Sequence, residues 1–321
     1  MARVVVFDEF GGPDVLHLID TEPVAPGPGE VQVRIEAFAI NPLDLMVRAG
    51  ISPAPVALPG ARLGVEGTGI VEAIGDGVSE LTPGDAVIIA ALPDAVVSGS
   101  YAEYVTLPAS RLLLRPAALT VAEAAALWVG YSTAYGALIE GAGMRAGDRL
   151  LVNAASGSVG RAAIQLARTI GAEPIAVTRE TAKRAELLAI GASAVVATDQ
   201  DDLVTAVRRH TDGAGADVVL DLVTGPGQHE LAAAARPGAT LIAAGFLDLR
   251  PGPEGGPAFE RYMSFAHTLD PAVVRRMAAY LEAHLDELRP KVGDVFTMDD
   301  VAEAHRQVEQ GGHAGKTVVS V

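Results

Sequence analysis

The sequence predicts an α/β protein in two parts, a partly open β-barrel and a doubly wound parallel sheet. Three observations carry this. Residues 1 to about 122 lack helical period and are rich in β-branched residues broken by Gly and Pro. From 149 onward, short apolar strands alternate with helical segments. At the first of these alternations the run Leu150-Leu151-Val152 breaks into Asn153-Ala154-Ala155-Ser156-Gly157-Ser158-Val159-Gly160 and then becomes an Ala-rich helix. Many short strands separated by turn residues favour a barrel, whereas repeated β–α–β order places helices on both faces of a parallel sheet.

In the first part, Val4 to Phe7, Val15 to Leu18 and Val31 to Ala37 read as strands, the last alternating apolar and polar residues as a strand with one wet face does. Pro23, Pro26 and Pro28 with Gly27 and Gly29 stiffen the connection before it. Gly69 to Ile74, Asp85 to Ile89 and Tyr101 to Val105 are further strands. Thr120 with Glu123 three residues on forms a capping-box pattern that opens a helix over Val121 to Leu127. A second helix is expected over about Ser132 to Gly141. Strands then follow at 149–153, 174–178, 194–198, 217–221 and 239–244, with helices at 158–170, 181–190, 201–209 and 227–235. Beyond Gly245 the regularity fails: Arg250 to Pro257 is a Gly/Pro-rich loop, Ala272 to Leu285 an amphipathic helix, Val292 to Thr297 a strand, Asp299 to Glu309 a helix, and Lys316 to Val321 a closing strand.

Composition removes several classes of function. The 321 residues carry 40 acidic against 24 basic side chains, a net charge of −16. That argues against binding a nucleic-acid backbone or an anionic membrane surface. No run of 18 uncharged apolar residues exists, so no membrane-spanning helix is expected. Met1 to Glu9 enters a β-like run with acidic residues, so a cytoplasmic protein is expected. The absence of cysteine excludes disulfides, thiolate nucleophiles and Cys-containing zinc sites. The seven histidines, His17, His210, His229, His267, His284, His305 and His313, include no i, i+4 pair and read as surface or helix-end residues.

Ala155-x-Gly157-x-x-Gly160 follows a strand and opens a helix, the context in which backbone N–H groups and a helix N-terminus face a pyrophosphate. Alanine stands at the first glycine position, and a plain small-residue turn packing a helix on a sheet is the alternative. The loop gains weight from five further stretches in order: Asn41-Pro42-Leu43-Asp44, Gly64 to Val71, Pro83-Gly84-Asp85, Tyr101-Ala102-Glu103-Tyr104 and Gly315-Lys316. With them the chain resembles the medium-chain dehydrogenase/reductase superfamily, and within it the zinc-free quinone oxidoreductase (zeta-crystallin-like) branch. The resemblance implies a GroES-like catalytic domain made of residues 1–122 and 265–321, a Rossmann domain at 123–264, and a cleft where cofactor and substrate meet.

Zinc enzymes of the superfamily place Cys where Asn41 stands and His where Val65 stands, and insert a four-Cys lobe where Ile89 to Tyr101 is short and Cys-free. A zinc that polarises an alkoxide needs three protein ligands, so no metal is expected here. The acceptor that suits such a site is already electrophilic, a quinone or an α,β-unsaturated carbonyl. Cofactor choice turns on Val177-Thr178-Arg179-Glu180-Thr181-Ala182-Lys183-Arg184. An NAD site puts an acid at the end of the second strand. Thr178 occupies that position, and Arg179 and Lys183 suit a 2′-phosphate. NADPH is the expected cofactor, with Glu180 as a late ribose acid the alternative.

By resemblance, Ser156, Gly157, Ser158, Val159 and Gly160 hold the pyrophosphate. Ser132 and Thr133, at the start of the helix before the Rossmann strand, face the nicotinamide side, with ordinary N-capping as their other use. Val223 meets the nicotinamide amide, Gly245 and Phe246 lie beneath the same ring, and Lys316 reaches the cofactor or is a surface lysine. Asn41 orients the acceptor carbonyl or the nicotinamide ribose, or is a turn residue before Pro42. Tyr131 and Arg261 are the candidate acids, with bulk water as the alternative. Leu45-Met46-Val47 and Thr198 stand where family members often carry tyrosines, and the loop 246–262 is shorter than usual. The expected function is NADPH-dependent reduction of a quinone or enone. The alternatives are a tailoring enoyl reductase acting on a bulky intermediate, or a redox-inactive NADPH-binding sensor or structural protein. The long apolar run Ala239 to Leu249 at the sheet edge predicts a homodimer.

Overall fold

β-Branched residues at alternate positions set the first unit. A computed structural model describes residues 1–52, 55–90, 92, 94–252, 255–256, 258–311 and 315–321; His313 and part of the loop 250–257 lie outside the described residues. It divides into two units, Met1–Val129 with Lys291–Val321, and Gly130–Pro290. In the first, β1 (Ala2–Val6) pairs antiparallel with β2 (His17–Thr21), which starts late because Pro13 opens a short 3-10 turn. The central strand β3 (Glu30–Ala39) buries Val31, Val33 and Ile35 and turns Gln32, Arg34 and Glu36 away. Around it lie β4 (Gly67–Ile74), β5 (Ala86–Ile89), β6 (Tyr104–Pro108) and β7 (Leu112–Leu114).

Three helices interrupt these strands. α1 (Pro42–Arg48) was not expected, and its local signals are explicit: Pro at the first helical position, and Asp44 Oδ2 accepting from the Asn41 N–H at 2.8 Å. α2 (Ala95–Ser98) is a single turn. α3 (Val121–Tyr135) is one helix where two were expected. Its capping box is in place, with Glu123 N donating to Thr120 Oγ1 at 3.2 Å. Gly130, which lies between the two expected helices, is a packing residue: a Cβ there would lie 2.5 Å from Ser158 Oγ. Ser132 and Thr133 therefore sit within the helix, not at its start.

The second unit is a six-stranded, all-parallel sheet of β8 (Arg149–Val152), β9 (Glu173–Thr178), β10 (Ala194–Ala197), β11 (Ala216–Asp221), β12 (Ala235–Ala243) and β13 (Glu260–Arg261). The order is β10-β9-β8-β11-β12-β13. The sequence order of the strands reverses between β8 and β11, and crevices at such switch points take ligands outside the strand C-termini. Helices α4 (Ser158–Ile170), α5 (Arg184–Ala189), α6 (Leu203–His210) and α7 (Gln228–Ala234) make the crossovers, and Leu151, Ile175, Val196, Val219 and Leu231 fill part of the core. Residues 265–290, which the sequence reading put with the barrel, lie in this unit as α8 (Phe265–Thr268) and α9 (Pro271–Ala283). Arg276 meets Glu140 at 2.9 Å and the Tyr280 hydroxyl meets Thr169 Oγ1 at 2.7 Å.

Strand β12 stops at Ala243, and residues 244–249 are irregular. Ile242 and Ala243 pair with β13, so the free edge expected over Ala239 to Leu249 is shorter and partly covered. The chain then returns to the first unit as β14 (Val292–Thr297), α10 (Val301–Gln310) and β15 (Lys316–Ser320). The barrel sheet runs β14-β15-β3-β4-β5-β7, with β6 also on β3. No helix among the described residues is long and apolar enough to cross a membrane.

Candidate active site

The loop after β8 is held in a conformation that alanine rarely adopts. Ala154 has φ +44°, and its carbonyl accepts from the Gly157 N–H at 2.9 Å. Left-handed backbone at a non-glycine residue is strained, and such strain gathers at functional sites. Gly157 is the N-cap of α4 and supplies no side-chain cap, so the first turn keeps unsatisfied N–H donors around Ser158, Val159 and Gly160. Gly160 is obligatory: a Cβ would lie 2.6 Å from both the Ala154 carbonyl oxygen and Ala155 Cα. Ala155, at the first glycine position, is fully buried and donates its N–H to Val177 O at 3.2 Å. The result is an uncapped helix N-terminus beside bare backbone, with Ser156 half-buried at its rim, which suits an anion.

The end of β11, the neighbouring strand across the switch point, is fixed by a buried carboxylate. Asp221 Oδ1 accepts from Asn153 Nδ2 at 2.6 Å, Val223 N at 2.9 Å and Thr224 N at 3.0 Å, and Oδ2 accepts from Gln228 Nε2 at 2.9 Å. Asn153 Oδ1 accepts in turn from Leu222 N at 2.6 Å. Asn153 and Asp221 thus tie the two central strand ends together, a role the sequence reading did not assign. Thr224 has φ +67°. The Val223 carbonyl accepts from Asp248 N at 2.8 Å. Gly245 lies so close to the Leu222 carbonyl that a Cβ would be 1.8 Å from its oxygen. The half-buried Phe246 ring lies 5.0 Å below the exposed Arg261 guanidinium.

At the end of β9, Thr178 is buried and its carbonyl accepts from Thr198 N at 2.9 Å. Arg179 is exposed and makes no ion pair among the described residues. Glu180, the alternative ribose acid, is paired with Lys183 at 3.0 Å. Tyr131 is buried, its hydroxyl donates to Gln165 Oε1, and burial pushes its pKa well up. Ser132 and Thr133, the next two residues of α3, are buried as well.

The first unit holds a separate buried polar network. Asn41 Nδ2 donates to Glu66 Oε1 at 3.0 Å and Ala39 O at 3.3 Å, while its Oδ1 accepts from Lys316 Nζ. Lys316 also pairs with Glu66 at 2.9 Å, and Glu66 Oε2 accepts from Val129 N at 2.8 Å. Lys316 is buried in a closed ion pair, not on the surface. Beside it Asp44 Oδ1 accepts from Gly64 N at 3.0 Å, and burial raises the Asp44 pKa to about 6. Arg48 Nη1 lies 2.9 Å from His305 Nδ1, and His305 Nε2 lies 3.1 Å from the Tyr101 hydroxyl. An arginine only donates, so Nδ1 accepts, Nε2 carries the proton, and Tyr101 is left to donate to Asp44. His305 is fully buried, against the expectation of a surface or helix-end residue, because Val301, Ala304 and His305 share the inward face of α10. Burial first and Arg48 second pull its pKa down to about 3.

A family profile described as "Alcohol dehydrogenase GroES-like domain" matches residues 27–117, and one described as "Zinc-binding dehydrogenase" matches residues 190–319. The rat protein named synaptic vesicle membrane protein VAT-1 homolog is 31% identical over 99% of this chain and 83% of its own length. A quinone oxidoreductase from Pseudomonas syringae pv. tomato DC3000 is similar over the whole of both chains, with 29% identity and a TM-score of 0.90. A mycobacterial protein solved in complex with NADPH is 28% identical over the whole of both chains, with a TM-score of 0.88. The chain belongs to the medium-chain dehydrogenase/reductase superfamily of oxidoreductases, in its zinc-free quinone oxidoreductase branch.

Proposed function

We propose that the protein is an NADPH-dependent reductase of quinones or α,β-unsaturated carbonyls. The observation that carries this is the combination of an uncapped α4 N-terminus behind Gly157 and Gly160 with Arg179, exposed and without an ion pair among the described residues, just past the end of β9. The strained Ala154 and the missing Cβ at Gly160 leave a cradle that fits a pyrophosphate. Arg179, with Lys183 once it leaves Glu180, takes the 2′-phosphate through charge-assisted hydrogen bonds. Val223, Gly245 and Phe246 form the platform for the nicotinamide end. When bound there, NADPH supplies a hydride equivalent; the protein supplies placement and exclusion of water.

Asn41 has both amide donors and its carbonyl oxygen engaged inside the first unit, so we assign it as a positioning residue that holds Glu66 and Lys316. Tyr131 is a poor acid, because its proton is committed to Gln165 and burial raises its pKa. Solvent then protonates the reduced product. With Asn41 and Val65 at the positions of the superfamily's zinc ligands, the acceptor must be electrophilic unaided. Loss of NADPH absorbance with a panel of para-quinones, conjugated enones and the matching saturated ketones tests this. Turnover is predicted with the first two classes and none with the third. Reduction of saturated ketones at comparable rates contradicts the reading.

A further inference from the structure

Arg62 differs from the other enclosed arginines. Arg48, Arg115, Arg161 and Arg184 each meet a carboxylate within 2.8 Å or less. Arg62 is half-buried in a chain of 40 acidic residues and forms no ion pair among the described residues. Its backbone N–H donates to Val96 O at 3.0 Å and its Nη2 to Gly99 O at 2.9 Å, while neither the buried Nε nor Nη1 has a partner among the described residues. Of the five guanidinium donors, one is used among the described residues.

The carboxylates that reach this segment are already engaged, Asp8 by the Gly60 N–H at 2.9 Å and Asp44 by the Gly64 N–H at 3.0 Å. The segment 45–65 that carries Arg62 contains no Asp or Glu, and the facing segment 86–102 contains only Asp94. Ala61 and Leu63, on either side of Arg62, are buried in the barrel core with Leu92. Burial, with no carboxylate to offset it, draws the guanidinium pKa down to about 10. A cation in this setting is costly unless something outside the chain completes it. The same segment runs on to Glu66, whose carboxylate holds Asn41 and Lys316.

We propose that Arg62 is an anion-binding residue that receives the carboxylate or phosphate of an otherwise apolar acceptor molecule. Val96, half-buried and bonded to the Arg62 N–H, and the exposed Val97 offer apolar surface to the body of the molecule, and the unused donors take its oxyanion. The proposal rests on the reductase reading only in calling the ligand an acceptor, and its test needs no turnover. Phenylbutyrate and its methyl ester, both saturated, are titrated calorimetrically against the protein and against R62M, R62Q and R62K, with inorganic phosphate as a competitor. The acid is predicted to bind about tenfold more tightly than the ester to the protein. That preference disappears in R62M and R62Q and survives in part in R62K, and both neutral variants keep the melting temperature of the parent. Competition by phosphate assigns the site to oxyanions in general, including a carrier phosphate; no competition assigns it to carboxylates. An acid–ester preference unchanged in R62M, no binding of the acid to the parent, or unfolding of both neutral variants overturns the proposal. An absence of NADPH turnover leaves these outcomes readable and fails the reductase reading alone.

Discussion

The end of β9 carries Arg179, a cation with no ion pair among the described residues, and Glu180, an anion already paired with Lys183. An exposed i, i+3 pair is weak, so its presence does not keep Lys183 from a stronger dianionic partner. Thr178 and Arg179 were legible in the sequence because the switch position needs only a strand end and a count from the glycines. His305 was not read, although Val301, Ala304 and His305 at helical spacing mark one face. Its titration makes a prediction. The folded pKa, about 3, lies below the 6.5 of the unfolded chain. Between the two values the unfolded chain binds the extra proton. The stability from neutral His305 is therefore complete above about pH 6.5 and falls with acid by about 1.4 kcal/mol per pH unit. His305→Gln keeps a donor and an acceptor and removes the titration. Urea unfolding from about pH 7 to about pH 5 should show a shallower loss in the variant than in the parent; parallel losses would show that His305 does not govern it.

At the level of elements, five of the six strands of the parallel sheet were readable because each carries a short apolar run, whereas β13, the two charged residues Glu260 and Arg261, has no such signal. The barrel's helices were less so. α1 has seven residues, too few to show a period, and its signature is the cap: Asn41, Pro42 and Asp44. α3 is buried along most of its length and shows no polar face to mark its period, and Gly130 within it lets Ser158 approach. The link between Asn153 and Asp221 was out of reach, since the residues are far apart in sequence and meet only because β8 and β11 are neighbours. The α4 turn gives a sharp test. Gly160→Ala places a methyl group 2.6 Å from the Ala154 carbonyl, where the loop must move. The variant should lose about 1–3 kcal/mol of stability and at least about tenfold in NADPH affinity by fluorescence titration. Unchanged affinity would remove the loop from the cofactor site.

For the molecule as a whole, composition and motif order were enough for the class, because six motifs in register across 321 residues constrain one topology. The homodimer remains a proposal with a revised geometry. β13 covers β12 at Ile242 and Ala243, so a second copy would pair along β13. Leu247, Leu249, Met263 and Leu269 are exposed on the segments that follow β12 and β13 and supply apolar surface for it. Sedimentation velocity at micromolar concentration should give a dimer, and a monomer across that range would discard the edge.

The most direct test of the central claim is the initial-rate comparison of NADPH with NADH against one quinone, in the parent and in Arg179→Ala. The account predicts a kcat/KM for NADPH at least about tenfold above that for NADH, abolished in the variant through KM for NADPH with NADH unaffected. Equal use of both cofactors by the parent, or an equal effect of Arg179→Ala on both, would contradict it.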